Sequence, residues 1–314
     1  MSPSSPIPLI CIEEGKLGEA GLSQRQQAWA EANGFSGQRG RLLPLPDGAG
    51  ALAGHLFGMG PAAGRPAFVT GLAGAAIGPG EYRLDGAFGD PNLAALGFRL
   101  GAYRFDRYRD GKPAPVLAAT AGADAAEVDR QVEAATLARD LINMPANDLG
   151  PDAFEAEIRR FAERHRMEVS VIAGDDLLTA NFPMIHAVGR ASPQAPRLVD
   201  LTWGNAGYPR VTLVGKGVTF DTGGLDIKSA AGMLLMKKDM GGAANVLGLA
   251  HAIVSARLPV RLRVLVPIVE NAIAGASFRP SDVLRSRKGI TVEIGNTDAE
   301  GRLILADALA LADE

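Results

Sequence analysis

The stretch Asn296-Thr297-Asp298-Ala299-Glu300-Gly301-Arg302-Leu303 constrains this chain more than any other. Two carboxylates and a guanidinium fall within the five positions from Asp298 to Arg302. An apolar run, residues 290–294, leads in, and a helical pattern, residues 303–312, leads out. A strand that passes through Asp-x-Glu-x-Arg into a helix presents hard oxygen ligands at the carboxyl edge of a sheet, where open α/β sheets build their sites. Acids crowded this closely repel unless a cation lies between them, so a metal site is the first hypothesis.

A second segment supplies more of the same chemistry. A short β-type run, residues 211–214, opens into a Gly-rich loop carrying Lys216, Asp221, Asp226 and Lys228. Its glycines allow tight turns and close approach to a ligand. Asp239 precedes Gly241 and Gly242 and an amphipathic helical pattern, residues 243–256. Asp221, Asp239, Asp298 and Glu300 are candidate ligands for Zn2+, Mn2+, Co2+ or Mg2+, among which oxygen donors alone do not choose. The bland alternative makes them solvated loop acids that cap helices. Lys216 could bind a metal only as a neutral amine, because an ammonium has no lone pair. Nearby cations depress a lysine pKa in the required direction.

The stretches VGKGVTFDTGGLDIKS, MKKDMGGAA and NTDAEGRL resemble the cytosolic leucyl aminopeptidase family of two-metal exopeptidases. LARDLINMPANDLGP and RPSDVL add to the likeness, which runs from about residue 130 to the end and is faint before. Lys216, Asp221, Lys228, Asp239, Asp298, Glu300 and Arg302 stand in the family's order and at its intervals. The resemblance implies two divalent ions, Zn2+ or Mn2+ first, bridged by Asp221 and Glu300. Asp298 would complete one ion, and Lys216 and Asp239 the other. Ions sharing carboxylates in hydrolytic sites lie about 3.5–4 Å apart. Lys228 would be the electrophile facing the carbonyl oxygen as charge develops. Arg302, whose planar fork suits a small planar anion, would hold a bicarbonate acting as base. Met236 would line the pocket for the substrate's first side chain. The implied substrates are peptides with a free N-terminus, and the implied assembly is a hexamer of two trimers.

Competing readings keep their place. Arg302 could form a helix-start salt bridge to Glu300, and Met236 could be ordinary core. Asp226 reads as a loop-structuring acid. Clustered carboxylates also serve two-metal phosphoesterases, and an inactive assembly or nucleic-acid-binding module is the non-enzymatic alternative. A net charge of −3 gives no polyanion footprint. His55, His165, His186 and His251 are scattered, with no His-Glu-x-x-His pattern.

Strand-like and helix-like runs alternate along the chain, which argues an α/β architecture. The expected organisation is a small N-terminal α/β domain, residues 1–122, then a catalytic α/β/α sandwich with a central mixed sheet, residues 123–314. Residues 124–143 read as the connecting helix. In the first domain, 8–13 and 67–72 read as strands, 23–32 as a helix capped by Ser23, and 92–108 as a helix. Asp47-Gly48 marks a hairpin turn. The single cysteine, Cys11, and the absence of a basic, apolar leader pattern make the cytoplasm the expected compartment. No run approaches the roughly 20 apolar residues of a membrane span. The last helical pattern has no Gly or Pro terminator, and in the resembled family the catalytic domain continues. The expectation is therefore a C-terminally incomplete domain. Its amine anchor and most of its side-chain pocket would lie in later segments, and the 314-residue form would be poorly soluble or inactive.

Overall fold

The computed structural model describes residues 5–314. The chain divides into two compact units, one ending at Val132 and the other starting at Glu133.

The first unit contains β1 (Ile7–Glu13), α1 (Gln24–Ala32), β2 (Leu42–Pro46), β3 (Leu52–Gly60), α2 (Gly71–Ala76), β4 (Glu81–Gly86), α3 (Pro91–Ala102) and β5 (Val116–Leu117). It also holds the start of α4 (Ala125–Asn143), within which the division falls. Its sheet has the order β2-β3-β1-β4-β5, parallel except for β2. The two-residue period of a strand splits β1 between two cores. Leu9 and Cys11 join Phe57 and Leu84 against α2 and α3, while Ile12 joins Leu56 and Leu45 on the α1 side. Ser23 and Gln26 form a reciprocal capping box at the start of α1.

Two expectations fail in this unit. Residues 67–72 form no strand; the segment turns and enters α2. Small residues decide this, because they let α2 press onto the backbone of α3. A Cβ on Gly74 would sit 2.1 Å from the Phe98 carbonyl oxygen. The helix expected to reach residue 108 stops at Ala102, where Tyr103 turns extended and Arg104 donates to the Gly101 and Tyr103 carbonyls.

The second unit contains α5 (Pro151–His165), β6 (Glu168–Ala173), α6 (Asp176–Thr179), α7 (Pro183–Gly189), β7 (Arg197–Trp203), β8 (Arg210–Val214) and β9 (Gly217–Asp221). These are followed by α8 (Ala230–Met233), α9 (Gly241–Ser255), β10 (Arg261–Asn271), β11 (Val283–Arg285), β12 (Thr291–Glu293) and α10 (Glu300–Asp313). The central sheet is mixed. It runs β6-β7-β10-β8, antiparallel across β6, β7 and β10, with β8 and then β9 parallel to β10. Helices cover both faces: α7 and α10 pack with Leu198, Val218, Leu265 and Val269, and α5 and α9 lie on the other. Buried on both faces, β10 reads as a nearly unbroken apolar run. Among the described residues, no helix is long and apolar enough to cross a membrane.

The Gly-rich stretch after Val214 is not a single loop, because residues Gly217–Asp221 form β9. The break before it is set by α9. A Cβ on Gly215 would lie 2.5 Å from Val246 and 2.7 Å from the Ala243 Cα, and Ala243 N–H donates to the Lys216 carbonyl at 2.9 Å. The apolar run before the acidic motif also differs from expectation. It yields only β12, which pairs with β11 in a two-stranded ribbon outside the central sheet. Its side chains lie mostly toward solvent, so no second sheet face holds it. The carboxyl edge that matters belongs to β9 and β10, which end side by side at Asp221 and Asn271.

Candidate metal centre

Asp221, the last residue of β9, sits at that edge and is buried. Opposite it, Asn296 accepts from Asp298 N–H at 2.7 Å and starts a 3-10 turn, Thr297–Ala299. The turn passes directly into α10, whose first residue is Glu300. Carboxylate oxygens of Asp221, Asp298 and Glu300 all lie within 4.8 Å of one another.

Two lysines enter this acidic nest from different sides. Lys216 Nζ is 2.8 Å from Asp239 Oδ2 and 2.8 Å from Glu300 Oε1. Lys228 Nζ is 3.0 Å from Asp221 Oδ2 and also contacts Asp298. Asp239 comes from a short 3-10 segment, Met236–Met240, just before α9. Lys216 reaches the nest over Gly301, where a Cβ would stand 2.7 Å from its Cε and Nζ.

Charge in the nest is strained. Burial raises the Glu300 pKa, and the Asp221 charge pushes the same way against the opposing pull of Lys216. Burial opposes the charge on Lys216, but Asp239 and Glu300 prevail and hold its pKa above the usual lysine value. Lys228 behaves alike: burial is outweighed by Asp298 and Asp221, and its pKa rises. Without a cation Lys216 is thus an ammonium, and serving as a ligand would require it to lose that proton.

The donors fit a metal. Glu300 is buried, and neither of its carboxylate oxygens has a hydrogen-bond partner in good geometry; Asp239 Oδ2 is in the same condition. Glu300 Oε1 and Asp239 Oδ2 are faced only by the Lys216 ammonium, and Glu300 Oε2 by no donor among the described residues; a buried carboxylate oxygen in that state is costly unless a cation satisfies it. All five residues proposed as ligands therefore converge on one nest, joined by Lys228.

Arg302 and Met236 are not drawn in by contacts. The Arg302 side chain is exposed in the first turn of α10 and makes no ion pair or hydrogen bond with a described residue, so the alternative reading, a bridge to Glu300, is absent. Met236 is half-buried at the start of the segment that carries Asp239.

Two polar residues that matter here were not singled out from the sequence. Asn271 Nδ2 donates to Asp221 Oδ1 at 2.8 Å and to the Thr297 carbonyl at 3.2 Å. Thr297, fully buried, links to Asp226 through its backbone N–H at 2.7 Å and its hydroxyl. The available signal for Asn271 was an amide ending an apolar strand; for Thr297 it was a β-branched polar residue inside the acidic motif.

Comparison with known proteins gives this geometry its context. The family profile described as "Cytosol aminopeptidase family, catalytic domain" matches residues 136–314, and that of the "M17 aminopeptidase, N-terminal domain" matches residues 6–119. The chain belongs to the cytosol aminopeptidase family. It is 39% identical to a probable cytosol aminopeptidase of Leifsonia xyli subsp. xyli, an alignment covering 94% of this chain and 63% of that protein. The crystal structure of the cytosol aminopeptidase from Coxiella burnetii superposes with a TM-score of 0.90 at 43% identity, covering 99% of this chain and 69% of that one. The bottromycin maturation enzyme BotP in complex with Mn gives a TM-score of 0.86 at 35% identity, over 98% of this chain and 69% of that one. The chain spans 63% of the Leifsonia protein and 47% of a probable cytosol aminopeptidase of Corynebacterium efficiens.

Proposed function

We propose that this chain carries the two-metal centre of an aminopeptidase that releases N-terminal residues from peptides. The observation that carries the reading is the convergence of Asp221, Asp298 and Glu300 within 4.8 Å, with Glu300 buried and its Oε2 without a hydrogen-bond partner among the described residues. Lys216, Asp221, Asp239, Asp298 and Glu300 would hold the ions, and manganese is the first candidate because a similar protein, BotP, is solved in complex with Mn. When bound, such ions polarise a carbonyl and activate water.

The chain's own side chains supply the rest. The Lys228 ammonium reaches the nest and is kept charged by Asp298 and Asp221, so it can pair with negative charge developing on the scissile carbonyl oxygen. Arg302, exposed two positions after Glu300, would hold a bicarbonate that takes up a proton, a small planar anion its fork suits. Met236 would face the first side chain of the substrate. The proposed substrates are peptides with a free N-terminus, and the proposed setting is a cytoplasmic homo-oligomer, a hexamer by family resemblance.

Titration of the chain with Mn2+ by calorimetry tests the centre. Hydrolysis of an aminoacyl-chromophore, set beside a phosphodiester and a DNA-binding assay, tests the class. In catalytically active protein, Lys228→Ala should lower kcat about 100-fold with Mn2+ affinity retained, as expected for loss of one oxyanion donor. A chain that binds no Mn2+ refutes the metal reading; turnover of the phosphodiester alone moves the protein to another reaction class.

A further inference from the structure

The two oxygens of Asp221 are treated differently by the fold. Oδ1 accepts from Gly223 N–H at 2.9 Å and from Asn271 Nδ2 at 2.8 Å. Oδ2 is turned toward Lys228 Nζ, 3.0 Å away, the same ammonium that contacts Asp298. One oxygen is thus saturated by protein N–H groups and the other is left for a cation.

Asn271 is placed to do this and more. It ends β10 in register with Asp221 and is almost fully buried. Its backbone is held, since the carbonyl accepts from Thr222 N–H at 3.2 Å and from Thr222 Oγ1 at 2.7 Å. The two hydrogens of its amide go to Asp221 Oδ1 and to the Thr297 carbonyl, so its orientation is not free. Flipping the amide would set its oxygen against a carboxylate and a carbonyl, three acceptors with no donor between them. One NH2 group therefore joins the end of β9, which carries Asp221, to the turn that carries Asp298.

We propose that Asn271 is a positioning residue for the metal centre, holding Asp221 so that Oδ2 alone faces the cations and setting the distance between Asp221 and the turn bearing Asp298. The inference rests on the two-metal reading. Groups that hydrogen-bond a ligating carboxylate fix its direction, and their loss typically weakens metal binding about 10- to 100-fold.

The test compares wild type, Asn271→Leu and Asn271→Ser by Mn2+ calorimetry, with circular dichroism and thermal unfolding of the metal-free proteins. Leu has similar bulk and no donor; Ser is small and can reach only one of the two acceptors. The expected result is Mn2+ binding weakened about 10- to 100-fold in the Leu variant and less in the Ser variant. Thr219→Val, which removes a hydroxyl bond to the Val269 carbonyl between the same two strands without touching either carboxylate or the Asn271 amide, should leave Mn2+ affinity unchanged. If Asn271→Leu fails to fold, Asn271→Ser decides. Folded variants that bind Mn2+ as tightly as wild type overturn the assignment while leaving the two-metal reading intact. Equal weakening in Thr219→Val also overturns it, since the effect would then be general loosening. Wild type that binds no Mn2+ removes the two-metal reading itself.

Discussion

Thr297→Val should destabilise the second unit through one hydroxyl. Thr297 has no exposed surface, and valine keeps its shape, so the change is confined to hydrogen bonding. The hydroxyl donates to the Gly223 carbonyl at 2.6 Å and accepts from Asp226 N–H at 2.8 Å, with Asp226 Oδ2 also in reach at 3.1 Å. Gly223 is buried, so its carbonyl loses its donor without water to replace it, at about 1–3 kcal/mol. Asp226 is exposed, and its N–H can turn to solvent, so that bond forfeits only about 0.5–1.5 kcal/mol. A loss near 3 kcal/mol follows. For a unit of roughly 180 residues, this lowers the unfolding midpoint by about 6–12 °C. Differential scanning calorimetry of the metal-free protein reads it. A midpoint within about 2 °C of wild type would refute the claim that this hydroxyl staples the loop after β9 to the acidic turn.

Gly301→Ala places a methyl 2.7 Å from Lys216 Cε and Nζ. Lys216 must leave its position between Asp239 and Glu300, and Mn2+ affinity should fall about 10-fold or more; calorimetry showing wild-type affinity would dismiss the contact as soft. Glu155 gives a pH test. Burial raises its pKa, but hydrogen bonds from Arg159 and Arg197 prevail, so the net shift is downward from 4.5. A depressed folded-state value stabilises the protein above the unfolded pKa, and the benefit is lost as pH falls through the folded value. Wild type should therefore melt above Glu155→Gln at pH 7, with the gap closing on acidification below 4.5; a gap that does not change with pH would contradict the linkage.

Much of this protein was legible locally. The helix over Gln24–Ala32 with its Ser23 cap, the long helix Ala125–Asn143 and the hairpin about Asp47-Gly48 follow from spacing and capping chemistry within a few residues. The eight residues from Asn296 to Leu303 likewise display their carboxylates and guanidinium without any fold. Tertiary structure decided what those groups meet. Asp221 finds Asn271 fifty positions away, and Asp226 finds Thr297 seventy-one positions away, because β9 and β10 end together at one sheet edge. Lys216 settles over Gly301 and Lys228 between Asp221 and Asp298 only once that edge exists. Sheet membership was decided there too. The apolar run before the acidic motif has a strand's period, yet it joins a ribbon rather than the central sheet, since a two-residue period reports which residues share a face and says nothing about which strand lies alongside. Residues 67–72 failed for a related reason: α2 forms because the glycines there let one helix backbone rest on another, and that contact involves residues about thirty positions further along the chain.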